Sequence, residues 1–215
     1  RAALNMDGEI LKLLLHRGAN PRSKDRQELQ PIHFAALAGN LDGVTALIEA
    51  GADVNAAEKT GVTALLWACH LADEPMVRAL LKAGANIELA ATSGKRPLHA
   101  ALENGSEPIV ALLLERGANV NARYDKNLTP LHIAANNGSE KLLTMLLDKG
   151  AEVDAVDAVR FTPLLNAIER GHRAAVDLLA SHGANPLATT TDSRNALHLA
   201  TLDNRLELMQ WAMDH

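Results

Sequence analysis

Apolar and polar positions along this chain recur in a fixed order. Between Asp125 and Asp157, "DKNLTP" is polar and turn-like, with Asn127 placed where a positive φ is tolerated. Thr129 then stands at an N-cap and Pro130 at the first helical position, so "PLHIAANN" reads as a helix of about two turns, ended by Gly138. Ser139 caps a second helix, "EKLLTMLLDKG", that Gly150 ends. Its Leu142, Leu143, Leu146 and Leu147 fall on one face. "AEVDAVDA" runs extended into the next turn. The unit is thus helix, tight turn, helix and extended hairpin loop.

The unit repeats. "QPIHFAALAG" begins at Gln30, "TALLWACHLA" at Thr63, "RPLHAALENG" at Arg96, "TPLHIAANNG" at Thr129, "TPLLNAIERG" at Thr162 and "NALHLATLDN" at Asn195, a spacing of 33 residues each time. Gly-Ala pairs at Gly18, Gly51, Gly84, Gly117, Gly150 and Gly183 keep the same period. Two markers in phase define an array of stacked supersecondary units. Boundaries follow: a half-unit over 1–24, repeats beginning near 25, 58, 91, 124 and 157, and an incomplete repeat over 190–215. Helices this short are marginal alone, so stacking must supply the surface that buries them. The alanine-rich first helix allows close approach, and the bulkier second helix makes the stack curve, with the short helices and loop tips on the concave side.

"TPLHIAA", "GANVNA" and the period of 33 resemble the ankyrin repeat family over the whole chain. The resemblance implies an all-α, ankyrin-type helical solenoid with extended β-hairpin loops, and a surface of concave face and hairpins that binds protein partners. Some ankyrin-like proteins are also hydroxylated on the hairpin asparagine, which corresponds here to Asn55 and Asn121. Departures from the pattern are local. Leu66 and Leu165 replace the usual histidine, Ala72 and Asn204 the glycine after the first helix, and Glu88 and Asp154 the asparagine of the "GADVN"-type run.

Composition narrows the function classes. The net charge is −5 and no basic block appears, so nucleic acid is not an expected partner. Two Trp, one Tyr and two Phe make base-stacking platforms improbable. A single cysteine, Cys69, fits a reducing compartment, hence an intracellular setting, cytoplasmic or nuclear. No apolar run is long enough to span a bilayer and no signal peptide is visible.

Candidate chemistry is weighed against the repeat. His33, His99, His132 and His198 share one position. Equivalent side chains in adjacent units should lie about 8–10 Å apart, while zinc needs nitrogens about 2 Å away, so neighbouring histidines of this column do not share an ion. They are expected to tie the helix start, with Thr129 at the cap, to loop backbone. "SGKR" lacks phosphate-loop spacing. Glu152, Asp154 and Asp157 lack calcium-loop spacing and read as a solvated edge. Cys69 reads as a buried small side chain. His16 and His182 end second helices, where partial positive charge suits the dipole. Asn166 shares its repeat position with the apolar Phe34, Trp67, Ile133 and Leu199. It must bond an adjacent unit, the favoured reading, or mark a hydrated pocket. No catalytic constellation, metal site or cofactor site emerges, so the chain reads as non-enzymatic.

Three columns drift between units: Leu29, Val62, Lys95, Leu128, Phe161, Arg194; Gln27, Thr60, Ser93, Lys126, Val159, Asp192; and Leu37, His70, Glu103, Asn136, Glu169, Leu202. On the concave side and loop tips that these columns should face, Tyr124, Leu128, Val159 and Phe161, with Glu169 and Arg170 behind, form the candidate partner-binding patch. Either these aromatics anchor a partner, or they fold down onto their own scaffold. The leading function is a protein-binding scaffold, monomeric as an isolated array. The alternative is the targeting or regulatory segment of a longer enzyme, channel or receptor, because Arg1 and His215 both fall inside helices of the repeat and the last helix, "LELMQWAMDH", is apolar for a cap.

Overall fold

The computed structural model describes residues 8–202 and 205–215; Asn204, one of the departures, lies outside them. The chain is all-α, with thirteen helices among the described residues. Their order follows the alternation read above, one short and one longer helix per repeat. The chain forms two compact units, 1–104 and 105–215. The first holds α1 (Gly8–His16), α2 (Pro31–Leu37), α3 (Leu41–Glu49), α4 (Ala64–His70), α5 (Glu74–Lys82) and α6 (Pro97–Glu103). The second holds α7 (Glu107–Glu115), α8 (Pro130–Asn137), α9 (Glu140–Asp148), α10 (Pro163–Arg170), α11 (Arg173–Ser181), α12 (Ala196–Leu202) and α13 (Leu206–Asp214).

Each unit is a stack. In the first, α2, α4 and α6 pack in sequence as one layer and α1, α3 and α5 as the other. In the second, α8, α10 and α12 form one layer, and α7, α9 and α11 lie side by side in the other. The inner faces of the short helices are small: Ala35, Ala36, Ala68, Ala100, Ala101, Ala134, Ala135, Ala167 and Ala200 have no exposed surface. The longer helices bury Val44, Leu47, Val77, Leu80, Leu143, Leu146, Val176 and Leu179 completely. Each such side chain contributes about 1.5–3 kcal/mol relative to an exposed one. No sheet forms among the described residues; the hairpins hold only the isolated antiparallel bridges Ala57–Thr63 and Tyr124–Leu128.

The helix starts show how two of the sequence departures are absorbed. In α8, Thr129 donates its hydroxyl to Nδ1 of His132 at 2.7 Å. Where leucine replaces the histidine, the same hydroxyl turns onto the backbone: Thr63 Oγ1 accepts from Leu66 N at 3.2 Å, and Thr162 Oγ1 from Leu165 N at 3.3 Å. Both leucines are buried. One polar partner is exchanged for an N-cap bond, and an apolar side chain fills the space.

Repeats inside a unit are also joined at the base of the hairpins. Asn55 Oδ1 accepts from Asn86 N at 2.8 Å, and Asn121 Oδ1 from Glu152 N at 2.9 Å. Asp154 does the same for Asn185 N at 2.9 Å. Asn121 also donates through Nδ2 to Gly150 O at 3.2 Å, so aspartate at the equivalent position keeps the acceptor role but not that donor bond. Asp154 therefore belongs to the scaffold rather than to a free acidic edge.

Candidate protein-interaction surface

The hairpin tips carry the candidate surface, and their backbones are fixed before any side chain is considered. Adjacent tips are bonded main chain to main chain: Lys59 N to Gln27 O at 3.0 Å and Thr92 N to Thr60 O at 2.8 Å in the first unit, Ala158 N to Lys126 O at 2.8 Å and Thr191 N to Val159 O at 3.0 Å in the second. Three repeats open on a carboxylate that folds its own turn. Asp25 Oδ1 accepts from Gln27 N and Leu29 N at 2.8 and 2.9 Å. Glu58 accepts from Thr60 N and Val62 N at 3.0 and 3.1 Å. Asp157 Oδ1 accepts from Val159 N and Phe161 N at 2.9 and 2.8 Å. Burial would raise the Glu58 carboxyl, but the Thr60 hydroxyl and the two amides outweigh it and hold it below the usual carboxylate range. Asp157 is thus half-buried and engaged, a correction to its reading as solvated edge.

The second unit brings the patch residues onto two bonded hairpins. Tyr124 and Leu128 face each other across one, with Tyr124 N to Leu128 O at 3.1 Å and Leu128 N to Tyr124 O at 2.9 Å. Val159 and Phe161 share Asp157 on the next. Val159 is 48 % exposed, whereas Tyr124, Leu128 and Phe161 are half-buried. Glu169 is half-buried and Arg170 exposed at the end of α10, where Arg170 Nε lies 3.5 Å from Asn136 Oδ1. The Glu169 carbonyl accepts from Arg205 of the following repeat.

The histidine column sits behind the hairpins. His33 accepts from Gln30 N through Nδ1 at 2.9 Å and reaches Ala56 O through Nε2 at 2.8 Å. His132 accepts from Thr129 N at 3.2 Å and reaches Phe161 O at 3.0 Å. His99 is fully buried and accepts from Arg96 N at 3.1 Å. Burial pushes His33 and His132 below the usual imidazole range, against the hydrogen bonds that raise them. His198 differs: its ring is exposed and its bonds stay within its own helix start, to Asn195. Asn166 is buried, at 6 % exposure. Among the described residues no cluster of three or more His, Cys, Asp or Glu could hold a metal ion, and no helix is long and apolar enough to cross a membrane.

A family model described as "Ankyrin repeats (3 copies)" matches residues 1–91, 88–157 and 131–215. The chain belongs to the ankyrin repeat family. Its fold is likewise similar to that of the human ASB11 ankyrin repeat domain, with a TM-score of 0.85 and 28 % identity over 98 % of this chain and 95 % of that one. The fold class is accordingly the helical ankyrin repeat solenoid. A curated relative, a probable E3 ubiquitin-protein ligase XBOS33 of Oryza sativa subsp. japonica, is 59 % identical over 39 residues, 18 % of this chain. The match spans 8 % of that relative's length. Ankyrin repeats are in general protein-interaction modules, and that coarse function is this chain's.

Proposed function

We propose that the chain is a non-enzymatic scaffold that binds one protein partner through the second unit's hairpins and short helices, with Tyr124, Leu128, Val159 and Phe161 as the apolar centre and Glu169 and Arg170 at its rim. The observation that carries this reading is the locked display of Val159. Nearly half of an aliphatic side chain stands in water on a turn whose amides are held by Asp157 and whose neighbours are bonded to the hairpins on either side. A surface ordered before binding loses little entropy on association. The array acts as a monomer inside the cell, in repeats bounded as read from the period, and His33, His99, His132, His198 and Thr129 serve its scaffold. Capture from cell lysate with the wild-type chain and with Val159→Asp tests it. A partner retained by the first and lost by the second is expected; a partner held equally by both overturns the assignment.

One observation favours a second reading, in which the array is the recognition segment of a longer protein such as a ubiquitin ligase: the 39-residue match to a named ligase. Immunoblotting of the endogenous product separates the two, since the second reading requires a polypeptide much longer than this chain.

A further inference from the structure

The tetrapeptide Asn-Gly-Ser-Glu occurs twice, at 104–107 and 137–140, each time where a short helix gives way to a longer one. An asparagine before glycine carries a latent reaction. The main-chain nitrogen of the glycine attacks the side-chain carbonyl carbon of the asparagine, because no side chain hinders its approach. The C–N bond of the amide breaks and ammonia leaves, which closes a five-membered imide. Water then opens one of the two imide C–N bonds, so one water is consumed, one ammonia is released and the product is aspartate or isoaspartate. Sequence alone gives the two copies the same reactivity, and the fold sets them apart.

Asn137 is the last residue of α8, so its own backbone is helical. The Gly138 amide donates to Ala135 O at 3.2 Å, and the His172 ring packs over Gly138 so closely that a β-carbon there would overlap it. The attacking nitrogen is both engaged and covered. Asn104 instead stands one position past the end of α6 and is exposed. Among the described residues nothing comes within 4 Å of the place where a β-carbon of Gly105 would stand. Asn104 is also the copy at which the reaction has a consequence. Its Nδ2 donates to the carbonyl of His70, the last residue of α4, and to Ala100 O at 3.4 Å. The amide thus ties the end of α6 to the end of α4. Ala38 and Leu71 occupy the same position in the earlier repeats and carry no amide.

We propose that Asn104 is a site of spontaneous deamidation and isomerisation, a slow chemical switch whose product releases α6 from α4. The nitrogen that leaves as ammonia is the donor to His70 O and Ala100 O, so both bonds go with it. The carboxylate left behind faces a carbonyl and adds negative charge at the C-terminus of α6, where the helix dipole opposes it. Isoaspartate also lengthens the main chain by one methylene. The test ages the whole chain in mildly alkaline buffer at body temperature and follows both sites by peptide mapping with mass spectrometry. Asn104 is expected to convert several-fold faster than Asn137, with isoaspartate detected by protein isoaspartyl methyltransferase. In concentrated urea the two sites should react alike, since only the fold separates them. The thermal midpoint of the aged protein should fall towards that of Asn104→Asp, whereas Asn104→Gln, which closes the ring far more slowly, should keep its starting midpoint. Equal or faster conversion of Asn137 in the native chain overturns the proposal. So does an Asn104 that stays intact while the unfolded chain reacts, or an Asn104→Asp midpoint equal to that of the wild type.

Discussion

Nε2 of His132 lies 3.0 Å from the carbonyl oxygen of Phe161, so the start of one repeat's helix is tied to the hairpin that opens the next. Nδ1 of the same ring accepts from the Thr129 amide and hydroxyl, which fixes the tautomer with its proton on Nε2, aimed at that carbonyl. His132→Ala removes both links inside a fully buried site. A loss of about 1–3 kcal/mol is expected, the range for leaving buried partners unsatisfied. Urea denaturation measures it; an unchanged midpoint would show that the ring is a passenger.

His132→Leu should behave differently. Leu66 and Leu165 already occupy this position in other repeats, and there the preceding threonine caps the backbone instead. Most of the stability should therefore be retained. The pH dependence should change as well. The folded-state values of His33 and His132 lie below the ordinary imidazole value because burial disfavours the charged ring. Below about pH 6.5 the unfolded chain takes up protons that the folded chain refuses, so stability falls as pH drops through that region and is recovered above it. Denaturation midpoints across this window should slope less steeply in His132→Leu than in the wild type.

The repeat period, the helices and the burial of most of the histidine column were legible in sequence because each is written several times over. The fold-organising carboxylates were not. Asp25, Glu58 and Asp157 hold turn amides, but Ala91, Tyr124 and Thr190 stand at the same repeat position, so no column announces the role. Trp67 was hidden for the opposite reason. Its column is otherwise mostly apolar and reads as core, and only the stack shows that two hairpin tips leave part of the indole facing a pocket. The exposure of His198 depends on what packs after it, which no motif within its own repeat encodes.

Ala72 stands where other repeats have glycine, and its φ is 55°. An L-residue in this left-handed region is strained by about 1–2 kcal/mol because Cβ crowds the following carbonyl. Glycine removes that strain but adds freedom to the unfolded chain, worth about 0.4–1 kcal/mol in the other direction. Ala72→Gly should therefore stabilise the fold by about 0.5–1 kcal/mol, read as a higher thermal midpoint. A lower midpoint would mean that the methyl group has a packing role.

Cys69 is fully buried in α4, and burial pushes its thiol up to about 12. Thiolate, the reactive form, is scarce at any pH at which the fold persists. Native protein should resist iodoacetamide near neutral pH and be alkylated only as it unfolds in denaturant. Rapid modification of the native chain would show a local opening around α4.

The last expectation concerns Phe161, whose backbone and side chain have separate jobs. Its amide is held by Asp157 at 2.8 Å and its carbonyl by His132 at 3.0 Å, so the loop keeps its path whatever side chain stands there. The ring is half-buried, and its removal forfeits only part of the burial a core aromatic supplies. An anchor at the centre of an interface, by contrast, costs about 2 kcal/mol or more when truncated. Phe161→Ala should thus weaken partner binding at least about tenfold, with a smaller loss of thermal stability. Asp157→Ala provides the contrast, because it frees two amides and should lower stability and binding together. Should Phe161→Ala lose stability while affinity holds, the ring packs on its own scaffold and the partner meets another surface.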